Sequence, residues 1–164
     1  MRAFSPKRLL QTLGEARVEL VVIGMGAAVL QGAPAQTFDS DVVHARTEEN
    51  VARILGWLGQ HGGRYRGGPR GLAPTAAHLI GPGHQLLETD LGPIDFMGAV
   101  GPPEALLDHA ALVRRCVLMD LGGFQVRLLD LEAIVELKRA IGRPKDLAAL
   151  PLLDATLRAR GKRR

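Results

Sequence analysis

The chain has 164 residues, 46% of them hydrophobic and 23% charged, with a formal net charge of +4 at pH 7. That length suits one domain around a single buried core, and the composition excludes an intrinsically disordered chain. A lone cysteine excludes a disulfide framework and a cysteine zinc site, and with one Trp, one Tyr and four Phe a stacking platform for single-stranded nucleic acid is not expected.

Ser5 and Pro6 supply an N-cap and a first-turn proline for a short helix carrying Leu9, Leu10 and Leu13 as far as Gly14. Residues 18–23, VELVVI, are apolar and β-branched enough for a strand buried on both faces. Residues 24–26 then turn the chain, and 27–31 form a brief helix closed by Gly32. Residues 39–45 read as the second strand. Thr47 caps the next helix, whose stripe of Val51, Ile54, Leu55 and Leu58 runs toward Gly62 and Gly63. Residues 64–75 have no apolar period and read as a loop in which Arg64, Arg66 and Arg70 are either solvated or available to phosphates.

Residues 78–80 and 85–89 are short strand candidates, and 94–97 is a further strand with Asp95 on the face opposite Ile94 and Phe96. Pro102 and Pro103 are read as starting a helix that reaches about residue 109. Residues 113–119, where Cys116 would be a small buried thiol, pair with 124–128 as a hairpin. Asp130 caps a helix over 131–141 that Gly142 stops, and Lys138 falls inside its apolar arc. A last helical segment is expected to about residue 160, restarted or kinked at Pro151. Arg143, Lys145 and Asp146 read as a loop ion pair of small value, and the C-terminal cluster of Arg158, Arg160, Lys162, Arg163 and Arg164 as a solvated, frayed end. The first ten residues lack a signal-peptide core and no apolar run approaches the roughly 20 residues that span a bilayer, so a cytoplasmic protein without membrane contact is expected.

Three carboxylates stand where strand burial normally excludes charge: Asp39, Asp41 and Asp95. A period of two puts Asp39 and Asp41 on one strand face, close enough to share a divalent cation such as Mg²⁺, which takes one or two carboxylates and completes its shell with water and phosphate oxygens. The glycine turn before the first small-residue helix offers backbone N–H groups to phosphates. Each piece also has a structural reading: a turn aspartate and a solvated position for the pair, a turn cap for Asp95, a snorkelling lysine for Lys138. His44 falls on the strand face opposite the aspartates and suits the core, and His61, His78, His84 and His109 show no ligand spacing. A dinucleotide-binding fingerprint also begins Gly24-x-Gly26, but Val29 occupies its third glycine, and the acidic pair opens its strand instead of ending it.

Gly24 followed by small residues, then Asp39-Ser40-Asp41, then a lone strand aspartate at Asp95 resembles the nucleotidyltransferase superfamily of DNA polymerase β type. The late segment LEAIVELKRAIGRPKDL, residues 131–147, is similar to a stretch of its minimal bacterial members, some of them components of toxin–antitoxin or abortive-infection systems. The resemblance implies one nucleotidyltransferase-like α/β (α+β) domain over residues 1–164, a mixed and mainly antiparallel sheet with helices packed on one face, and a C-terminal helical segment with a basic tail. It implies that Asp39, Asp41 and Asp95 hold Mg²⁺ or Mn²⁺ and carry catalysis, that Gly24, Met25 and Gly26 cradle phosphate, and that Lys138 points toward the triphosphate or acceptor. The reaction implied is transfer of a nucleoside monophosphate from an NTP to a hydroxyl of a protein or RNA. The chain departs from the family pattern at Met25, Ser40 and Ala35, where a glycine or serine, an apolar residue and an arginine are usual. A second expectation follows from these departures: a catalytically silent module that binds a cognate partner protein.

Overall fold

The computed structural model describes residues 4–162. In chain order the elements are α1 (Pro6–Glu15), β1 (Leu20–Ile23), α2 (Gly24–Leu30), β2 (Ser40–His44), α3 (Glu48–Gln60), β3 (Arg64–Tyr65), α4 (Ala76–Ile80) and β4 (His84–Thr89). They continue with β5 (Gly92–Met97), β6 (Ala99–Val100), β7 (Leu107–Asp108), α5 (His109–Val113), β8 (Cys116–Asp120), β9 (Gln125–Leu129), α6 (Leu131–Ile141) and α7 (Pro144–Lys162). Seven strands form one mixed sheet in the order β3-β4-β5-β2-β1-β9-β8, and β6 pairs with β7 apart from it. Most pairings are antiparallel; β1 with β9 and β2 with β5 are parallel.

The apolar run of β1 is buried at all four positions, as a strand covered on both faces requires. On β2 and β5 the period of two separates two environments. Val42, His44, Ile94 and Phe96 are buried on one face, where Phe96 meets the Trp57 ring of α3 edge-on at 6.1 Å and His44 Nε2 lies 2.7 Å from the Leu79 carbonyl of α4. The Trp57 indole N–H donates to Thr12 Oγ1 of α1 at 3.0 Å, so α1, α3 and α4 form one layer against this face. Asp41 and Asp95 point the other way.

Asn50 ties that layer to the sheet. It is buried near the start of α3, and its side chain accepts from the Glu19 N–H at 2.7 Å while donating to the carbonyls of Glu19 and Ala45 at 3.0 and 2.8 Å. These backbone groups lie where the chain enters β1 and leaves β2; the Ala45 N–H donates to the Glu19 carbonyl at 3.1 Å, and Asn50 serves the Glu19 N–H and the Ala45 carbonyl.

Several elements differ from the sequence reading. Residues 78–80 belong to helix α4 and are not a strand, because Thr75 and the His78 side chain close a capping box around its first turn. Residues 102–109 do not form a helix: the Ala105 N–H closes a turn on the Pro102 carbonyl at 2.9 Å, β7 follows, and helix α5 begins only where Asp108 Oδ1 accepts from the Ala111 N–H. Val113 is therefore helical, and the strand begins at Cys116, which is half-buried. Within 64–75, Arg64 and Tyr65 pair with β4. Helix α7 runs through Pro151 to Lys162 without a restart, and Arg160 is not frayed but bonds Asp130 at 3.3 Å. Arg163 and Arg164 lie outside the described residues. No helix among those described is long and apolar enough to cross a membrane.

Replacing Asn50 by Ala removes the partner of the Glu19 N–H and of the buried Ala45 carbonyl and should lower unfolding stability by about 2–3 kcal/mol. Urea denaturation measures it; a loss under about 0.5 kcal/mol would show that water takes over these bonds.

Candidate active site

Asp41 and Asp95 are directly paired across the parallel β2–β5 ladder, and Asp39 stands immediately before β2. One carboxylate oxygen from each of the three lies within 4.8 Å of the others. Gly24 opens α2 beside them with φ +65°, and a Cβ there would sit 2.8 Å from Asp41 Oδ2. Glycine is thus required twice, by the left-handed backbone and by the carboxylate pressed against it.

Asp95 is buried, whereas Asp39 and Asp41 are half-buried. Burial, then repulsion from Asp39 and Asp95 and a hydrogen bond to Asp95, push the Asp41 carboxyl up from 3.8 to about 7. Burial raises Asp95 as well, although the Arg66 guanidinium in contact with it acts in the opposite direction. Three hard oxygen donors this close, with the Asp41 and Asp95 carboxyls pushed up by burial and repulsion, form a donor set that fits a divalent cation of the Mg²⁺ type.

The carboxylates face a cavity of about 600 Å³ whose other wall is built from α6 and α7. Lys138, Arg143 and Lys145 line that wall, together with Ile134, Leu137 and Asp146. Asp146 organises it. Its side chain is only 1% exposed, and it accepts from Arg143 Nε at 2.7 Å and Lys138 Nζ at 3.4 Å. Burial alone would raise the Asp146 carboxyl, but the Arg143 and Lys138 contacts outweigh it and hold the group below its usual range. Asp146 is thus a buried carboxylate in the first turn of α7 that joins Lys138 of α6 to the exposed Arg143, and the pairing is more than a solvated loop ion pair.

The structure brings Asp39, Asp41, Asp95, Gly24, Met25 and Lys138 to this one cavity. Gly26 lies deeper in α2, turned toward the Asp39 backbone, and does not line it. His84, Leu86, Met97, Arg143, Lys145 and Asp146 also line the cavity, although no spacing in the sequence marks them as site residues, and Arg66, which the sequence leaves open between solvent and phosphate, contacts Asp95. His44 is buried on the opposite face, as its strand position required. Burial pushes the Cys116 thiol up to about 11, which removes it as a nucleophile.

By sequence, no protein-family model and no curated protein matches the chain. By structure it superposes on a Thermotoga maritima protein assigned provisionally as a nucleotidyltransferase, with a TM-score of 0.58 and 20% identity over 96% of this chain and 92% of that one. The fold is that of a nucleotidyltransferase. It also matches ANT(2″)-Ia in complex with adenylyl-2″-tobramycin, with a TM-score of 0.55 and 19% identity over 90% of this chain and 84% of that one. The solution structure of ANT(2″)-Ia, an antibiotic-resistance factor, matches with a TM-score of 0.53 and 20% identity, covering 92% and 80% of the two chains. At these identities the likeness is one of fold. None of the three belongs by name to the toxin–antitoxin group that the sequence resembles.

A carboxyl raised from 3.8 to about 7 binds its proton more tightly in the folded than in the unfolded chain. Its favourable contribution is complete at acid pH and is lost as pH rises through about 7. Asp41→Asn should therefore match the wild type near pH 4 and exceed it by up to about 4 kcal/mol at pH 8 without added metal. Chemical denaturation at the two pH values checks this, and a variant less stable at pH 8 would contradict it.

Proposed function

We propose that this chain transfers a nucleoside monophosphate from an NTP to a hydroxyl of a protein or RNA, with pyrophosphate leaving. The observation that carries the reading is a cavity with three carboxylates on the sheet wall and Lys138, Arg143 and Lys145 on the helical wall. Opposite charges facing each other across one space suit a metal–triphosphate, whose cation and phosphates need opposite partners. The nucleotidyltransferase fold supports the same conclusion.

Mg²⁺ or Mn²⁺ held by Asp39, Asp41 and Asp95 would supply charge neutralisation at the phosphate and activation of the acceptor oxygen. The chain's own residues do the rest. Asp95 takes the proton of the acceptor hydroxyl, whose oxygen forms a bond to the α-phosphorus as the bond to the bridging oxygen of the β-phosphate breaks. The departing pyrophosphate carries away the electron pair, and Lys138 and Lys145 stabilise its growing charge. Gly24 leaves room for Asp41, and Met25 beside it lines the nucleotide's approach.

A second reading is a weakly active or silent module that binds a cognate partner protein in a toxin–antitoxin type system. Met25 favours it, because its side chain packs partly on the core and takes the place where family members present a small residue to the phosphates. Calorimetry with Mg²⁺ and NTP separates the two readings, since a silent module gives no binding at millimolar nucleotide.

Incubation with each α-labelled NTP, Mg²⁺ or Mn²⁺ and candidate protein and RNA acceptors tests the activity. Asp39→Ala and Asp41→Ala should each reduce label transfer by about a hundredfold or more. Equal labelling by wild type and variants would contradict the assignment.

A further inference from the structure

We propose that Arg66 is a built-in counter-ion for Asp95, one that an arriving divalent cation displaces; the inference rests on reading Asp39, Asp41 and Asp95 as a cation site. Arg66 immediately follows β3, and its backbone N–H donates to the Leu86 carbonyl at 3.0 Å, which fixes its root beside β4. From there its guanidinium donates through Nη2 to Asp95 Oδ1. Among the described residues it forms the one ion pair that engages the three carboxylates.

The arm does not belong to the main cavity. Arg66 lines a second one of about 490 Å³, with Met25, Phe38, Asp39, Glu88 and Pro93, and from there it crosses to Asp95, which lines the first. Asp39 and Met25 are common to both, so the carboxylates stand between two lobes of one sheet face. Lys138 and Arg143 pair with Asp146 on the opposite wall and do not contact the three carboxylates. Arg66 is 30% exposed, and Gly67 with φ +69° and Gly68 follow it, so its arm leaves Asp95 at little cost in packing.

Two like charges cannot crowd one partly desolvated carboxylate cheaply, because less water is left there to screen their repulsion. A divalent cation drawn in by Asp39 and Asp41 therefore competes with the guanidinium for Asp95. Once released, Arg66 adds its planar fork to the second lobe, where a phosphate oxygen is a suitable partner. Cation entry and the appearance of an anion-binding group on the far side of the carboxylates are then one event.

Calorimetric titration of the whole chain with Mn²⁺ alone, at one pH and without nucleotide, tests the displacement. Arg66→Gln should bind Mn²⁺ about fivefold more tightly than wild type, the worth of a partly exposed ion pair. Arg66→Lys should stay near wild type, and so should Arg70→Gln, which makes the same charge change on the same loop at an exposed position. With Mn²⁺ saturating, Arg66→Gln should bind a non-hydrolysable NTP analogue more weakly. Unchanged or weaker Mn²⁺ binding by Arg66→Gln, equal tightening by Arg70→Gln, or unaltered nucleotide binding would overturn the role given to Arg66. Absence of Mn²⁺ binding in wild type and every variant would instead overturn the cation site, and this inference with it.

Discussion

Three carboxylates held within 4.8 Å of one another repel, and much of this fold can be understood as the means of keeping them there. Parallel pairing of β2 with β5 sets Asp41 beside Asp95, and the antiparallel neighbour β1 ends opposite Asp41 so that Gly24 comes directly against its carboxylate. The register cannot drift. A slip of one residue would turn the aspartates toward the layer of Trp57 and Leu79 and carry Val42, Ile94 and Phe96 out of it in exchange. The hydrophobic face thus supplies the free energy that holds the acidic face in place.

Across the cavity the problem is inverted, because cations must be gathered without an acidic surface to attract them. Asp146 solves it from inside the helix pair, joining Lys138 of α6 to Arg143 at the turn into α7. A buried carboxylate with two cationic partners is costly to break, since removal of either side leaves charge unpaired in a dry place. The two walls consequently differ: the helical wall is tied together by its own ion pairs, while on the sheet wall burial and repulsion raise the Asp41 carboxyl and Arg66 contacts Asp95.

The features legible in the sequence were those whose physics is local. Continuous β-branched burial marked β1, a period of two put Asp39 and Asp41 together and His44 behind them, and Thr47 with its following acids marked the start of α3. Residues 78–80 looked extended in isolation; the reciprocal bonds between Thr75 and His78 made them helical. Pro102 and Pro103 carry the signature of a helix start, but the turn they make leads first into β7, and Asp108 provides the cap. Arg66 gave no periodic signal because its meaning depends on the pairing of β3 with β4, two residues long on one side. Asp146 sits among basic neighbours in a segment that reads as solvated, and only the packing of α7 on α6 buries it. Non-local contacts decided each of these, and a window along the chain does not contain them.

On the proposed function, the carboxylates at β2 and β5 and the cations at the α6–α7 pair serve one metal–triphosphate. Anomalous diffraction from crystals grown with Mn²⁺ and a non-hydrolysable NTP analogue tests it most directly. The predicted result is a Mn²⁺ peak within about 2.2 Å of oxygens from Asp39, Asp41 and Asp95, the analogue's phosphates lying between that ion and Lys138 and Lys145. A peak away from the three aspartates, or phosphates bound outside this cavity, would contradict it.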